Sequence, residues 1–547
     1  MKIKNIILLT LASMLGLSAC SLDEQPKGTL TPSTFYSSQD ELNMSVYALY
    51  KQVVNFECNT NQFSPMFQGD DMTTNPGSNK QRIAQADAFN VTVGNIGLDN
   101  MWQKLYSIIK AANDIVLNAG RTPVSETEIN IALGQAKFWR AVSYFYLVRY
   151  YGKIPITLET STSTERTLAD FPEIYGQIVS DLQDCINTLP TSYADQKEPR
   201  YMNGANIYIT KQAAQSTLVA VYMQMAGYPM KETKYYAEAA KLAKEVIDKC
   251  NSGEYEYILE SQFKSVYSIS HNYTNEIVVG LNMSDKFGQW SEDFQMTSSN
   301  YFEFLGGWGD AFGEIKFWKN YPDCDRKNWI YAPTILVRGS LLEKGKDGVD
   351  DMSLVWYDDF FKTKDYQPEF CLMSYSVDSY DDMYSQTAIR DFDPAKPPYL
   401  GMTTSMRIRI VRYAELLLWY AESQARVEGT PSVFAYECVN RVRRRAGLPD
   451  LPAGLNGSEF ADACLQEHGW EVCGYFMALV PRRDDMVRME LMENYFNQRK
   501  ANEAVEVAPG LFIKEKVLIP DGVTWKGDKT IFMDYPALDS GLNPNLK

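Results

Sequence analysis

The chain has 547 residues, of which 45% are hydrophobic and 22% charged, so it can bury a large core and has room for two or three domains. A net charge of -16 excludes nucleic acid as a partner and electrostatic adhesion to anionic lipid, because both need clustered lysine and arginine; it suits a neutral ligand. Aromatic residues reach 13%, with 35 Tyr and 10 Trp, more than a helical core requires. Amphipathic rings grip flat polar ligands with little loss of conformational freedom.

Lys2 and Lys4 precede an apolar run from Ile6 to Leu17 that is too short to span a bilayer and fits a secretory signal. The run ends in Leu17-Ser18-Ala19-Cys20, which resembles the bacterial lipobox. That resemblance implies a signal peptide over 1–19, cleavage before Cys20 and a lipid on its sulfur; the alternative is an ordinary signal peptide with a chance cysteine. Three acyl chains, at ~0.8 kcal/mol per buried CH2, make such an anchor effectively permanent. Residues 20–37, with Pro26, Gly28 and Pro32, read as a tether. No later segment reads as a membrane helix.

Helical periodicity fills 38–250. The clearest helix is Ala136–Tyr151, apolar at Phe138, Ala141, Val142, Phe145 and Val148 and stopped by Gly152 and Pro155. Tyr175, Ile178 and Leu182 read as its partner helix, and Trp102–Leu117 pairs with Leu42–Val54. Leu218, Tyr222, Gly227, Tyr236, Ala239 and Ala243 have the spacing of a tetratricopeptide-type hairpin, in which small alanines let one helix pack closely on the next. Over 251–404 the period is lost and Trp290, Trp308, Trp318, Trp329 and Trp356 accumulate, as expected of a long irregular insertion with short strands. A smaller loop, Phe63–Asn95, carries Phe67, Asp70, Asp71 and Pro76. Periodicity returns over about 405–500 of a C-terminal region, 405–547, that ends in a closing segment; there Leu416, Leu417 and Tyr420 lead through Gly429 and Pro431 to Ala435, Val439 and Val442.

Chemistry-bearing motifs are sparse. With only His271 and His468, histidine metal sites and Ser-His-Asp triads are poorly supported. Eight adjacent acidic pairs occur, Asp358-Asp359 and Asp484-Asp485 among them; about nine are expected by chance, so they point to no glycosidase. Asp378, Asp381 and Asp382 lack the spacing of a calcium loop, and no phosphate-binding glycine loop is present, so neither metal nor cofactor is expected. The eight cysteines after Cys20 show no C-x-x-C spacing; Cys185, Cys250 and Cys438 lie in helical patterns as small buried residues.

Several segments, in order, carry a resemblance to the SusD/RagB family of outer-membrane nutrient-binding lipoproteins. They are Cys20-Ser21-Leu22-Asp23; Met101-Trp102 through Ala112-Asn113-Asp114; Ala136-Lys137-Phe138-Trp139-Arg140-Ala141 with Arg149-Tyr150-Tyr151-Gly152-Lys153-Ile154-Pro155; Arg412-Tyr413-Ala414-Glu415 through Arg445-Ala446-Gly447-Leu448; and Leu542-Asn543-Pro544-Asn545-Leu546. Asp485-Met486-Val487-Arg488 matches the family's Asp-Leu-x-Arg element only loosely. The resemblance implies a mainly α fold, a right-handed scaffold of tetratricopeptide-like hairpins, with ligand held by variable loops and a lid-like position over a SusC-like TonB-dependent transporter. It implies a non-enzymatic protein that binds a glycan; some relatives take peptides, and a surface glycoside hydrolase is the enzymatic alternative. Arg140, Arg149 and Glu415 are expected to hold helices together through buried or semi-buried ion pairs and backbone contacts. A pyranose stacks its C–H face on an aromatic ring while its hydroxyls bond to polar side chains. Trp290, Tyr301, Trp308 and Trp318, with Phe67 and Asp70 from the earlier loop, are therefore the candidate ligand-binding residues; a core role is the alternative for each tryptophan.

Overall fold

The computed structural model describes residues 35–283, 310–331, 334–338, 354–358, 367–368, 370 and 406–546, apart from 59, 75, 78–80, 161–164 and 197–198. Six long helices come first: α1 (Gln39–Glu57), α2 (Ile96–Asn118), α3 (Glu126–Tyr151), α4 (Phe171–Thr188), α5 (Lys211–Ala226) and α6 (Tyr235–Asn251). Their starts are locally encoded. Ser38, Asn95, Ser125 and Thr210 each accept a backbone N–H of the first turn, satisfying a donor the helix cannot. Ser125 explains why α3 begins ten residues ahead of the apolar run at Ala136: the cap and acidic first turn of Glu126 and Glu128 carry the helix over a polar opening stretch. Its far end is Gly152 at φ 72°, beyond which Ile154 makes a single bridge to Ala169.

The helices stack in sequence order, α1 on α2, α2 on α3, and so on to α6, so each hairpin expected from the periodicity is formed. Next in the stack is α7 (Tyr413–Glu428), which packs on α6 although about 160 residues separate them in sequence. α8 (Val433–Arg445) and α9 (Gly457–Glu471) both pack on α7. Two further helices, α10 (Arg482–Arg488) and α11 (Met492–Ala501), complete this region. Strand β1 (Ile277–Leu281) pairs antiparallel with β2 (Ile408–Arg412), and every residue of both is buried. This pairing closes the base of the intervening segment and delivers its end directly into α7.

Other strands are short: Thr334–Arg338 pairs with Leu354–Asp358 in the insertion, where short strands are expected, and Val505–Ala508 pairs with Leu511–Ile513 in the C-terminal region, where none are. Cys185 and Cys438 are unpaired thiols and fully buried, and Cys250 is an unpaired thiol that is partly buried.

The expected ion pairs and backbone contacts are present. Arg140 of α3 donates to both Asp181 oxygens of α4 at 2.8 and 2.7 Å and to Asn113 of α2 at 2.8 Å, so one buried guanidinium pins three helices. Arg149 pairs with Asp484 and donates to the Leu479 carbonyl at 2.7 Å, joining the first helical region to α10. Glu415 accepts the Arg412 backbone N–H at 2.9 Å, closing the start of α7.

Candidate ligand-binding site

The two loop regions singled out in the sequence meet. Met72 and Thr73 pair antiparallel with Gly313 and Phe312, and the Glu314 N–H donates to the Asp71 carbonyl at 3.2 Å. This short zipper sets Asp70 beside the helix Ile315–Asn320, whose first turn is capped by the Glu314 carboxylate accepting Phe317 N–H at 2.6 Å. Between that helix, α9 and α11 lies a cleft of about 350 Å³, within the size range of small-molecule sites.

Each helix presents two side chains one turn apart to this cleft: Lys316 and Asn320, Gln466 and Trp470 of α9, Asn494 and Gln498 of α11. Phe317, Met486 and Tyr495 form the apolar floor, with Leu491 at the rim. Asp70 completes the wall, fixed by Arg482, whose Nε and Nη2 donate to its two oxygens at 2.7 and 3.1 Å. Trp470 is held by its backbone: its carbonyl accepts the Tyr321 hydroxyl at 3.0 Å, and the two rings lie 5.6 Å apart. Trp470 Nε1 and the Tyr495 hydroxyl are buried polar atoms without a hydrogen-bond partner among the described residues. Buried polar atoms are rarely left unpaired, so both are groups a polar ligand could satisfy.

Electrostatically the site is muted. Asp70 is neutralised by Arg482. Glu314 is held well above the usual carboxylate range by burial and by the neighbouring Glu515 carboxylate. Behind the wall, burial pushes Asp71 up to about 7 although its Oδ2 accepts the Gly474 N–H at 2.9 Å. Carboxamides, one aromatic ring and the Lys316 ammonium are therefore what a ligand would meet. That donor set suits hydroxyl-rich neutral ligands; among the described residues no group of His, Cys, Asp and Glu is arranged to hold a metal ion.

The sequence candidates divide three ways. Asp70 is on the cleft wall. Phe67 is fully buried in the segment Thr60–Gln68 and has no face open to a ligand, which corrects its assignment as a stacking ring. Trp318 is likewise a core residue, 7% exposed, with the Lys327 ammonium 4.7 Å from its ring centre. The reason is helical geometry: Lys316 and Asn320 face the cleft, and two residues along a helix turn the side chain by about 200°. Trp290, Tyr301, Trp308 and Cys20 lie outside the described residues. Asn320, Gln466, Trp470, Asn494 and Gln498 escaped the sequence reading; the only available signal was polar residues at four-residue spacing on three helices, which any solvated face also shows.

A stack of tetratricopeptide-like helical hairpins carries a loop-bordered cleft; among the described residues no helix is long and apolar enough to cross a membrane. Residues 21–223 match a family model described as starch-binding and associating with the outer membrane, and residues 320–512 match the SusD family model. The chain belongs to the SusD/RagB family. It is 24% identical over 532 residues to SusD-like protein P2 of Formosa agariphila, covering 93% of this chain and 94% of that protein. Among solved structures, a SusD homolog from Bacteroides thetaiotaomicron superposes with a TM-score of 0.73 at 18% identity, covering 94% of this chain and 97% of the other. A structure solved with a xylogluco-oligosaccharide superposes with a TM-score of 0.70 at 18% identity, covering 92% and 98%.

Proposed function

We propose that this protein is a cell-surface lipoprotein that captures a nutrient glycan and passes its oligosaccharides to a SusC-like TonB-dependent transporter, without catalysing a reaction itself. The observation that carries the reading is the cleft in which Asn320, Gln466, Asn494 and Gln498 surround Trp470 beside the arginine-fixed Asp70. Carboxamides both donate and accept, as sugar hydroxyls require, and an indole offers a ring and an N–H together. The related structure with a bound xylogluco-oligosaccharide supports a glycan as the class of ligand. Trp290, Tyr301 and Trp308 remain proposed contributors from the neighbouring insertion. In the same reading 1–19 is a signal peptide, 20–37 a tether anchored through lipid on Cys20, 38–250 and 405–547 the helical regions and 251–404 the ligand-facing insertion.

Calorimetric titration with xylogluco-oligosaccharide, cello-, xylo- and manno-oligosaccharides tests it. At least one should bind saturably, and Trp470→Ala should weaken that binding by about ten- to a hundredfold, as loss of a stacking ring does on other platforms. Saturable binding that Trp470→Ala and Asn494→Ala both leave intact would move the site elsewhere.

A further inference from the structure

A second cleft lies elsewhere on the molecule. It measures about 430 Å³ and lies between α2 and the closing segment of the chain, sharing neither a residue nor an element with the Asp70 cleft. Its α2 wall is Gln103, Tyr106, Ser107 and Lys110, spaced i, i+3, i+4 and i+7, so they form one stripe opposite the buried Leu105, Ile108 and Ile109. An aromatic ring in the middle of a polar stripe is out of place on a face that has only to be solvated. Tyr106 is also immobilised. Its hydroxyl donates to the Pro155 carbonyl at 2.8 Å and its ring is 4.8 Å from Trp102, so only a ring face is left for a ligand.

The opposite wall is built and held. Tyr535 packs on Trp102 with ring centres 5.6 Å apart, and the Asn543 amide donates to the Arg166 carbonyl at 2.9 Å. These contacts place Asp539 and Asn543 across from the Tyr106 ring. Gln103 and Lys110 are exposed and make no side-chain hydrogen bond or ion pair among the described residues, so their donors face the cleft unused. A fixed ring face, hydrogen-bonding side chains on both walls and a volume suited to one or two sugar rings are the features of a saccharide site.

We infer that this cleft is a second saccharide-binding site, independent of the Asp70 cleft, and that the two together give the protein a bivalent hold on a polymer. The inference rests on the reading of the chain as a glycan binder. Tethering one polymer at two sites raises the effective concentration at the second and slows release without any new contact.

The test is stoichiometry. Xylogluco-, cello-, xylo-, manno- and galacturono-oligosaccharides are titrated singly at millimolar concentration, and the tightest binder is then used with three variants. Two equivalents should bind the unaltered protein, and one should bind Tyr106→Ala. The exposed double variant Gln103→Ala with Lys110→Ala, which leaves Tyr106 and the core untouched, should weaken the second equivalent at least tenfold. Trp470→Ala should retain the equivalent that Tyr106→Ala loses. A single equivalent that Trp470→Ala abolishes overturns this inference and leaves the glycan-binding reading standing. Two equivalents in both α2 variants also overturn it. A single equivalent lost in Tyr106→Ala and kept in Trp470→Ala supports this cleft and removes the Asp70 cleft. Absence of binding by every member of the panel overturns both.

Discussion

The two helical regions treat a buried glutamate in opposite ways. Glu57, the last residue of α1, is 1% exposed, with no ion pair and with Oε2 unbonded among the described residues; burial pushes its carboxyl up to about 8, the Tyr146 hydroxyl offsetting only part of the effect. Glu471, the last residue of α9, is just as buried but sits 2.6 Å from both Arg326 and Arg412 and also pairs with Arg445. Burial opposes its charge, yet the three guanidiniums, Arg445 foremost, hold its carboxyl down at about 2. Around it Arg445 reaches Glu276 at 2.8 Å and Arg326 reaches Glu467 at 2.7 Å. The first region is a stack of neighbouring helices joined mainly by apolar stripes. The second must fix segments remote in sequence: the start of β1, the short helix Asp325–Ile330, the end of β2, α8 and α9. Charged hydrogen bonds are directional, so they set the arrangement of such ends where apolar contacts alone would allow several.

The largest effect should come from breaking the arginine cluster. Glu471→Ala leaves buried guanidiniums without their shared partner and should cost about 3–5 kcal/mol in urea unfolding. A loss no larger than that of a surface substitution would show that the cluster is incidental.

Glu57 tests the other half of the contrast. Its carboxyl ionises near 8 in the folded chain and near 4.3 in the unfolded one. The unfolded state therefore loses this proton first. Between those two values stability should fall as pH rises, by up to ~1.4 kcal/mol per pH unit. Glu57→Gln should remove that slope and raise stability at neutral pH. Identical pH profiles for the variant and the parent would mean that Glu57 has a partner in solution.

His468 gives a smaller window of the same sign, at higher pH, in the second region. Burial disfavours its imidazolium, but Asp485 at 2.6 Å and Glu415 at 3.6 Å outweigh that and push it up to about 9. Its unfolded value is near 6.5, so the stabilisation is complete below about 6.5 and is lost as pH rises through about 9. The ring resonances of His468, followed by NMR, should titrate in the alkaline range; titration near 6.5 would show the imidazole to be neutral in the fold. Smallest of all is Lys244 with Asp248, an exposed pair on α6 at 2.6 Å. Lys244→Ala should change stability by less than about 0.5 kcal/mol, which sets the scale against which the buried cluster is read.

The sequence by itself determined the helical regions, the hairpin partners within them and the family. Apolar residues recurring at helical spacing leave few ways to bury a stripe, and the caps at Ser38, Ser125 and Thr210 mark starts through local hydrogen bonds alone. It also marked Arg140 and Arg149 as helix-binding ions, because a charge inside an apolar face needs a partner. The site was decided by tertiary structure. Phe67 and Trp318 have the right chemistry, yet both rings are buried, and the cleft itself depends on the pairing of residues 72–73 with 312–313, a contact without a sequence signature. Trp470 and its carboxamide neighbours come from helices joined only in space, and polar residues at that spacing look like any wet surface until another wall closes over them. Periodic burial is written locally along the chain, whereas a cleft exists only where distant segments meet.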